Sequence, residues 1–449
     1  MRRRRIEGGR RCLALLLAAL LFLSGCGSAG GGEAADGTTQ AVEEQAGTSE
    51  GDAAEKPDGS EAGTAASDAG AETKEETEAE EASNAAASGT APEGRTASSD
   101  APELAGLVFE SELELTYAES FDVYHYEDGY ALIDVHESAR YLVVPEGKTV
   151  PEGLPEGVVI LQQPFERIYL AATSAMALFD ALDSLDRIRM TGTRESGWYI
   201  ENAVKAMEGG DMIFAGKYSE PDYELLVDES CDLAVESTMI FHTPKVKEMI
   251  EELGIPVFID RSTYEKHPLG RTEWIKLYGV LAGKEAEAEA FFEGQTKVIS
   301  ELEDFPNTGK TVVYFYMNTN GAAVVRRADD YIPGMIELAG GKYAFPDLLG
   351  EEYKSASVSL SMEEFYATAV DADYLVYNAA IDAPVGSMDE LLAKSGLFAD
   401  FKAVKEGNVW TTGKSLYQAT DIVGEMIRDL HLMLTEGQEE NMTFLTRVK

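Results

Sequence analysis

From about Leu107 to the C-terminus, short apolar runs alternate with stretches whose apolar residues recur every three or four positions. The first pattern predicts buried strands and the second amphipathic helices. Phe121 to Val144 alternates apolar and polar residues about Glu127-Asp128-Gly129, as a β-hairpin does. Arg167 to Ala172 predicts a short strand, with Thr173-Ser174 capping a helix through Met176, Leu178, Leu182 and Leu185. Asp232 to Val235 predicts a strand, Ser237 to Thr243 a loop, Val246 to Leu253 a helix and Ile255 to Ile259 a strand. That rhythm is the signature of a parallel sheet with helical crossovers.

A second series follows. Thr311 to Met317 is β-branched and aromatic, and leads through Asn318-Thr319-Asn320-Gly321 to Val324-Val325-Arg326-Arg327. A helix through Ile332, Met335, Ile336 and Leu338 stops at Gly340-Gly341, strands follow at Tyr374 to Tyr377 and Asn408 to Thr412, and Ile422 to Leu434 closes the chain as a helix. Between the two series lies Lys284 to Asp304, whose Ala288, Phe291, Phe292, Val298, Ile299 and Leu302 trace one face of a long helix. About 20 residues at ~1.5 Å each span roughly 30 Å, the width of a small domain. The fold expected is therefore α/β: two Rossmann-like lobes with parallel sheets, joined by one long rigid α-helix, with a ligand cleft between them. The bounds are 104–282, 283–306 for the connector and 307–449. An ordinary crossover helix within one large sheet is the alternative.

Ahead of this, 449 residues hold 37 Lys and Arg against 81 Asp and Glu, a net of −44. Such a chain has no basic surface to displace counterions from nucleic acid, and no charge attraction to anionic lipid. Arg2 to Arg5, Arg10 and Arg11 precede an apolar stretch of 11 residues, Leu13 to Leu23, too short to span a bilayer. Met1 to Gly25 reads as an export signal. Residues 27–103 contain 3 basic and 19 acidic residues and almost no large apolar ones, the composition of a self-repelling tether with nothing to bury. Two motif matches there, Gly47-Thr48-Ser49-Glu50-Gly51 and Gly25 to Gly30, follow no strand and open no helix, so they carry no chemistry. The three cysteines, Cys12, Cys26 and Cys231, fit neither a zinc site nor a disulfide framework by their spacing.

Loops at the carboxyl ends of parallel strands collect ligands. The candidates there are Thr173, Ser174, Trp198, Tyr199, Tyr218, Thr238, Met239 and His242 in the first half, and Asn318, Asn320, Arg326, Arg327, Asn378, Lys414 and Tyr417 in the second. Aromatic faces suit a flat macrocycle or catecholate, and arginines suit carboxylates or an anionic chelate. Neighbouring arginines on a strand point to opposite faces, so at most one faces a cleft. The loop histidines His242 and His267 are 25 residues apart, poor spacing for a metal centre.

Several of these segments resemble a known family. Leu23-Ser24-Gly25-Cys26 resembles the lipobox of bacterial lipoproteins, which implies a lipidated Cys26. Tyr223-Glu224-Leu225-Leu226, Cys231-Asp232-Leu233-Ala234-Val235 and Gly254-Ile255-Pro256-Val257 resemble a run found in the ABC-importer substrate-binding proteins for ferric siderophores, haem and cobalamin. Tyr331-Ile332, Leu338-Ala339-Gly340-Gly341, Ser361-Met362-Glu363 and Asp371 to Val376 answer in the second half. The chain departs from the pattern at Cys231 and Ala372, where proline is usual.

The resemblance implies a monomeric, lipid-anchored receptor on the outer face of a bacterial cell membrane, with no catalytic residue and no resident cofactor or metal. It would bind an iron chelate or corrinoid and pass it to an ABC permease. It further implies that Glu224 and Glu363, or Glu364 in place of the second, dock on arginines of that permease. A haem receptor with His242, Met239 or a tyrosine as axial ligand is the alternative within the class, and a surface lipoprotein hydrolase the alternative outside it.

Overall fold

A computed structural model of the chain describes residues 101–449, except 105, 303, 304, 350–354, 436 and 438. The expected signal, Cys26 and nearly all of the acidic tether lie outside the described residues. No helix among the described residues is long and apolar enough to cross a membrane.

The chain opens with β1 (Phe109–Glu112), β2 (Phe121–Tyr126), β3 (Tyr130–Val135), β4 (Ala139–Val144) and β5 (Val158–Gln162). They pair in sequence order, antiparallel except for β4 with β5. The expected hairpin is β2–β3, with Tyr126 opposite Tyr130. Asp128 (φ 68) and Gly129 (φ 84) turn it through left-handed backbone. Unlike a surface hairpin, this sheet is apolar on both faces: Phe121, Val123, Ile133 and Tyr141 join the main core, while Tyr124, Leu132 and Leu142 pack with Leu104.

The first lobe follows as β6 (Ile168–Leu170), α1 (Met176–Ala181), β7 (Ile188–Thr191), α2 (Glu201–Gly209), β8 (Ile213–Phe214), β9 (Gly216–Lys217), β10 (Glu220–Pro221), α3 (Tyr223–Asp228), β11 (Leu233–Ser237), α4 (Pro244–Glu252) and β12 (Val257–Asp260). Its sheet, in the order β12-β11-β6-β7-β8, is wholly parallel, as the βαβ rhythm predicts. At the β12 edge, the Ile259 N–H donates to the Tyr141 hydroxyl of β4 at 3.0 Å, so the N-terminal sheet protects that edge. Thr173 and Ser174 form a 3-10 turn before α1, and neither side chain caps it.

Then come α5 (Pro268–Ala282) and α6 (Glu285–Leu302), followed by the second lobe: β13 (Thr311–Met317), β14 (Ala323–Arg326), α7 (Tyr331–Leu338), β15 (Lys342–Tyr343), β16 (Ser357–Leu360), α8 (Met362–Ala369), β17 (Tyr374–Tyr377), α9 (Met388–Lys394), α10 (Lys402–Glu406), β18 (Val409–Thr412), α11 (Val423–Thr435) and β19 (Leu445–Arg447). Here β13 runs parallel to β15 and β17, and β17 to β18, while β14 and β19 enter antiparallel. The second sheet is thus mixed rather than wholly parallel.

The expected connector is α6, buried through Ala288, Phe292, Gln295 and Ile299. Phe291 and Leu302 only pack against that core. It is not alone, because α5 beside it is buried along almost its whole length, and one apolar core runs through these helices from sheet to sheet. Glycines seat α6 on both sides. A Cβ on Gly279 of α5 would lie 2.7 Å from Ala288 Cβ, and one on Gly424 of α11 would lie 2.8 Å from the Gln295 carbonyl oxygen. Two carboxylates, Glu273 of α5 and Glu265 just before it, also hold the segment before β2. Glu273 accepts from the backbone N–H groups of Thr116, Tyr117 and Ala118, and Glu265 from those of Glu119 and Ser120.

Glu236 on β11 breaks the pattern. It is fully buried, and neither carboxyl oxygen has a hydrogen-bond partner among the described residues. Burial drives its pKa well above the usual carboxylate range, so it is a neutral acid in the folded protein. Below the unfolded value of about 4.3 both states are protonated. Above it only the unfolded chain ionises, and folding loses a factor of about ten per pH unit until the folded pKa is reached. Glu236→Leu is therefore expected to raise the Tm, by a margin that widens as the pH rises from the unfolded value toward the folded one. A margin independent of pH over that range would contradict the assignment.

Candidate functional site

The loops after β7 in the first lobe and β18 in the second meet. Gln418, 7% exposed, donates through Nε2 to the Gly197 carbonyl at 2.7 Å and accepts from the Tyr199 N–H at 2.8 Å. Side chain and backbone thus form a two-point grip across the lobes. Beside it, Thr272 of α5 donates to the Thr420 carbonyl at 2.8 Å, and Arg271 lies over the Tyr331 ring at 3.6 Å from its centroid.

On the first-lobe wall Trp198 is buried, and its indole N–H has no partner among the described residues. Tyr199 is 49% exposed, Met239 half-buried and His242 exposed in the turn after β11. The Thr238 hydroxyl donates to Tyr264 at 3.2 Å. Tyr218 is half-buried between β9 and β10, and Thr173 half-buried after β6. Ser174 has turned inward. Its hydroxyl donates to Asp260 at 3.2 Å, and Asp260 also accepts from Ser262 at 2.7 Å and Tyr278 at 2.5 Å. Burial raises the Asp260 pKa and these donors oppose the rise. His267 is no loop ligand: it stacks on Tyr117, its Nδ1 accepts from the Leu269 N–H, and burial lowers its pKa to about 4.

On the second-lobe wall Asn378 is 1% exposed and donates to the Tyr417 hydroxyl at 2.9 Å, fixing that half-buried ring. Lys414 and Asn320 are exposed. Asn318 accepts from the N–H groups of Asn320 and Ala322, which makes it a turn former. Arg326 pairs with both oxygens of Asp330 at 2.9 and 2.6 Å and donates to Ser357 at 2.9 Å. Arg327 pairs with Asp329 at 2.6 Å. Both arginines therefore meet a carboxylate within the chain. Burial holds the phenols of Tyr314 and Tyr331, both buried behind this wall, above their ordinary pKa. Among the described residues, no group of three or more His, Cys, Asp or Glu could hold a metal ion.

Of the sequence candidates, the structure brings Trp198 and Tyr199 to the loop that carries Lys414 and Tyr417. It turns Ser174, Asn318, Arg326 and Arg327 to partners inside the chain. Gln418, Arg271, Tyr264 and Tyr331 were not singled out from sequence. Gln418 ends a segment whose tyrosine was, but its role depends on a partner 219 residues away.

Glu224 and Glu363 occupy matching places. Each is the second residue of a short helix, α3 capped by Asp222 and α8 capped by Ser361, that leads into a central strand of its lobe. Both are exposed, and neither has an ion-pair partner among the described residues. Glu364 is committed, because its carboxylate accepts from both the N–H and hydroxyl of Ser361 in a capping box. That separates it from Glu363.

Two α/β sheets whose loops meet across a shared helical layer define a two-lobed solute-binding protein. The chain belongs to the periplasmic binding protein family, whose model matches residues 171–416; its members bind solutes and are not enzymes. Two uncharacterized lipoproteins of Methanocaldococcus jannaschii are similar. One is 24% identical over 71% of this chain and 81% of its own length, the other 25% identical over 74% and 86%. The fold is also that of the periplasmic heme binding protein HutB of Vibrio cholerae, at a TM-score of 0.50 and 16% identity over 61% of this chain and all of that one.

Proposed function

We propose that this chain is the lipid-anchored solute receptor of an ABC importer, and that it carries a ferric siderophore, cobalamin or a related metal chelate to a membrane permease. The observation that supports the reading is the meeting of the Trp198–Tyr199 loop with the Tyr417–Gln418 loop, which brings aromatic residues of both lobes together, as a solute held between lobes would need. The matched, unpaired Glu224 and Glu363 support a docking face for the permease. The lipobox-like Cys26 and the lipoprotein names of the archaeal relatives support the anchor.

Native mass spectrometry of the full chain, purified in detergent from its own host's membranes, tests the reading. A bound mass carrying iron or cobalt is expected, and a hemin mass would select haem within the same class. A chain that holds no metal chelate and binds none from a panel of ferric siderophores, hemin and cobalamin would refute it, as would turnover of an ester or glycoside.

A further inference from the structure

Several arginines near the strand ends are already matched with acids: Arg326 with Asp330, Arg327 with Asp329 and Arg261 with Glu137. Arg271 differs. It rises from the first turns of α5 in the first lobe, and its guanidinium covers the ring of Tyr331 at the start of α7 in the second. No carboxylate among the described residues pairs with it. Its Nη2 and Nε donate to the backbone carbonyls of Thr263 and Glu265 instead. The neighbouring Glu265 carboxylate is spent on the N–H groups of Glu119 and Ser120 and on the Trp274 indole.

A half-buried guanidinium that is held flat by an aromatic face and still has donors uncommitted is pre-organised for an incoming acid. Around it burial holds the Tyr331 phenol above its ordinary pKa, and Arg326 is compensated by Asp330. By comparison Lys414 is an exposed amine on a loop, whereas Arg271 is a half-buried planar fork already fixed against a ring.

We propose that Arg271 is the specificity-determining residue of the cleft: it receives a carboxylate or other acidic group of the solute, while Arg326 and Arg327 serve the fold. This rests on the solute-receptor reading above and deepens it.

Citrate, alone and as its ferric complex, is the probe, titrated at millimolar concentration against the full chain at constant ionic strength and followed by thermal shift. The wild-type chain is expected to be stabilised saturably. Arg271→Gln should raise the apparent Kd about tenfold or more, the scale of a lost charge-assisted hydrogen bond. Arg271→Lys should recover part of that loss, since it restores charge without the planar fork. Arg140→Gln, on the remote N-terminal sheet and paired there with Asp134, should leave the titration unchanged. Equal citrate affinity in wild type and Arg271→Gln, or no saturable stabilisation of the wild type, would overturn the proposal. Loss of the response in Arg140→Gln as well would do the same, because it would mark the effect as one of bulk charge. A chain that shows the Arg271-dependent response yet binds no metal chelate would refute the receptor reading and leave this assignment standing.

Discussion

Reversing both docking carboxylates, Glu224→Lys together with Glu363→Lys, is expected to cut solute uptake by cells about a hundredfold or more while leaving solute affinity unchanged. Each glutamate is exposed in the first turn of its helix, and neither holds any described part of the fold in place. Losing one partner of an interfacial charge pair costs about 2–5 kcal/mol, and placing like charges together adds to that. Two such losses exceed what a transient receptor–permease encounter can spare. The matched control is Glu364→Lys, which removes the capping-box acceptor of Ser361. It should lower Tm, by about 1 kcal/mol of stability, and spare uptake. Uptake is read from cells whose own copy carries the substitutions, and affinity from the purified chain. Full uptake by the double reversal would remove the docking face from the account.

The glycines that seat α6 give the largest effect on stability. Gly279→Val and Gly424→Val each place a branched side chain where a single Cβ would already lie 2.7 Å from Ala288 Cβ or 2.8 Å from the Gln295 carbonyl oxygen. Neither contact is the flexible end of a side chain, so the helices must part. The cost expected is about 3 kcal/mol for each, at the upper end for overpacked cores. Gly294 lies on the exposed face of the same helix with nothing within 4 Å of its Cβ position. Gly294→Ala should stabilise by about 1 kcal/mol, the helix-propensity difference between the two residues. Thermal unfolding of the three variants side by side separates seat from surface. A loss at Gly294 comparable to that at Gly424 would mean that α6 is not held as described.

Much of this architecture was legible because it rests on local periodicity. The β2–β3 hairpin, β13, β17 and α6 all follow from patterns within fewer than 25 residues. What was not legible has physical reasons. In α5, Pro268–Ala282, nearly every residue is buried, so no polar face marks it as a helix. Gln295 sits in the buried stripe of α6 and Glu236 inside β11, both polar where the pattern asks for apolar residues. The first is satisfied by α11, where it accepts from the Gly424 N–H and donates to Glu425. The second is neutral through burial.

The site was half legible. Trp198, Tyr199 and Tyr417 announce themselves as aromatics beside strand ends. Whether an arginine is free for a ligand depends on which acid folds back on it, and Asp329, Asp330 and Glu137 decided that for three of them. Arg271, paired with no carboxylate among the described residues, stands at the start of a helix that the pattern did not reveal.

The most direct test of the central claim is a crystal structure of the chain bound to its co-purified solute. The account predicts the solute between the lobes, in contact with Tyr199 on one side and Tyr417 on the other, with an acidic group on Arg271. A solute seated within one lobe alone, or against the N-terminal sheet, would contradict it.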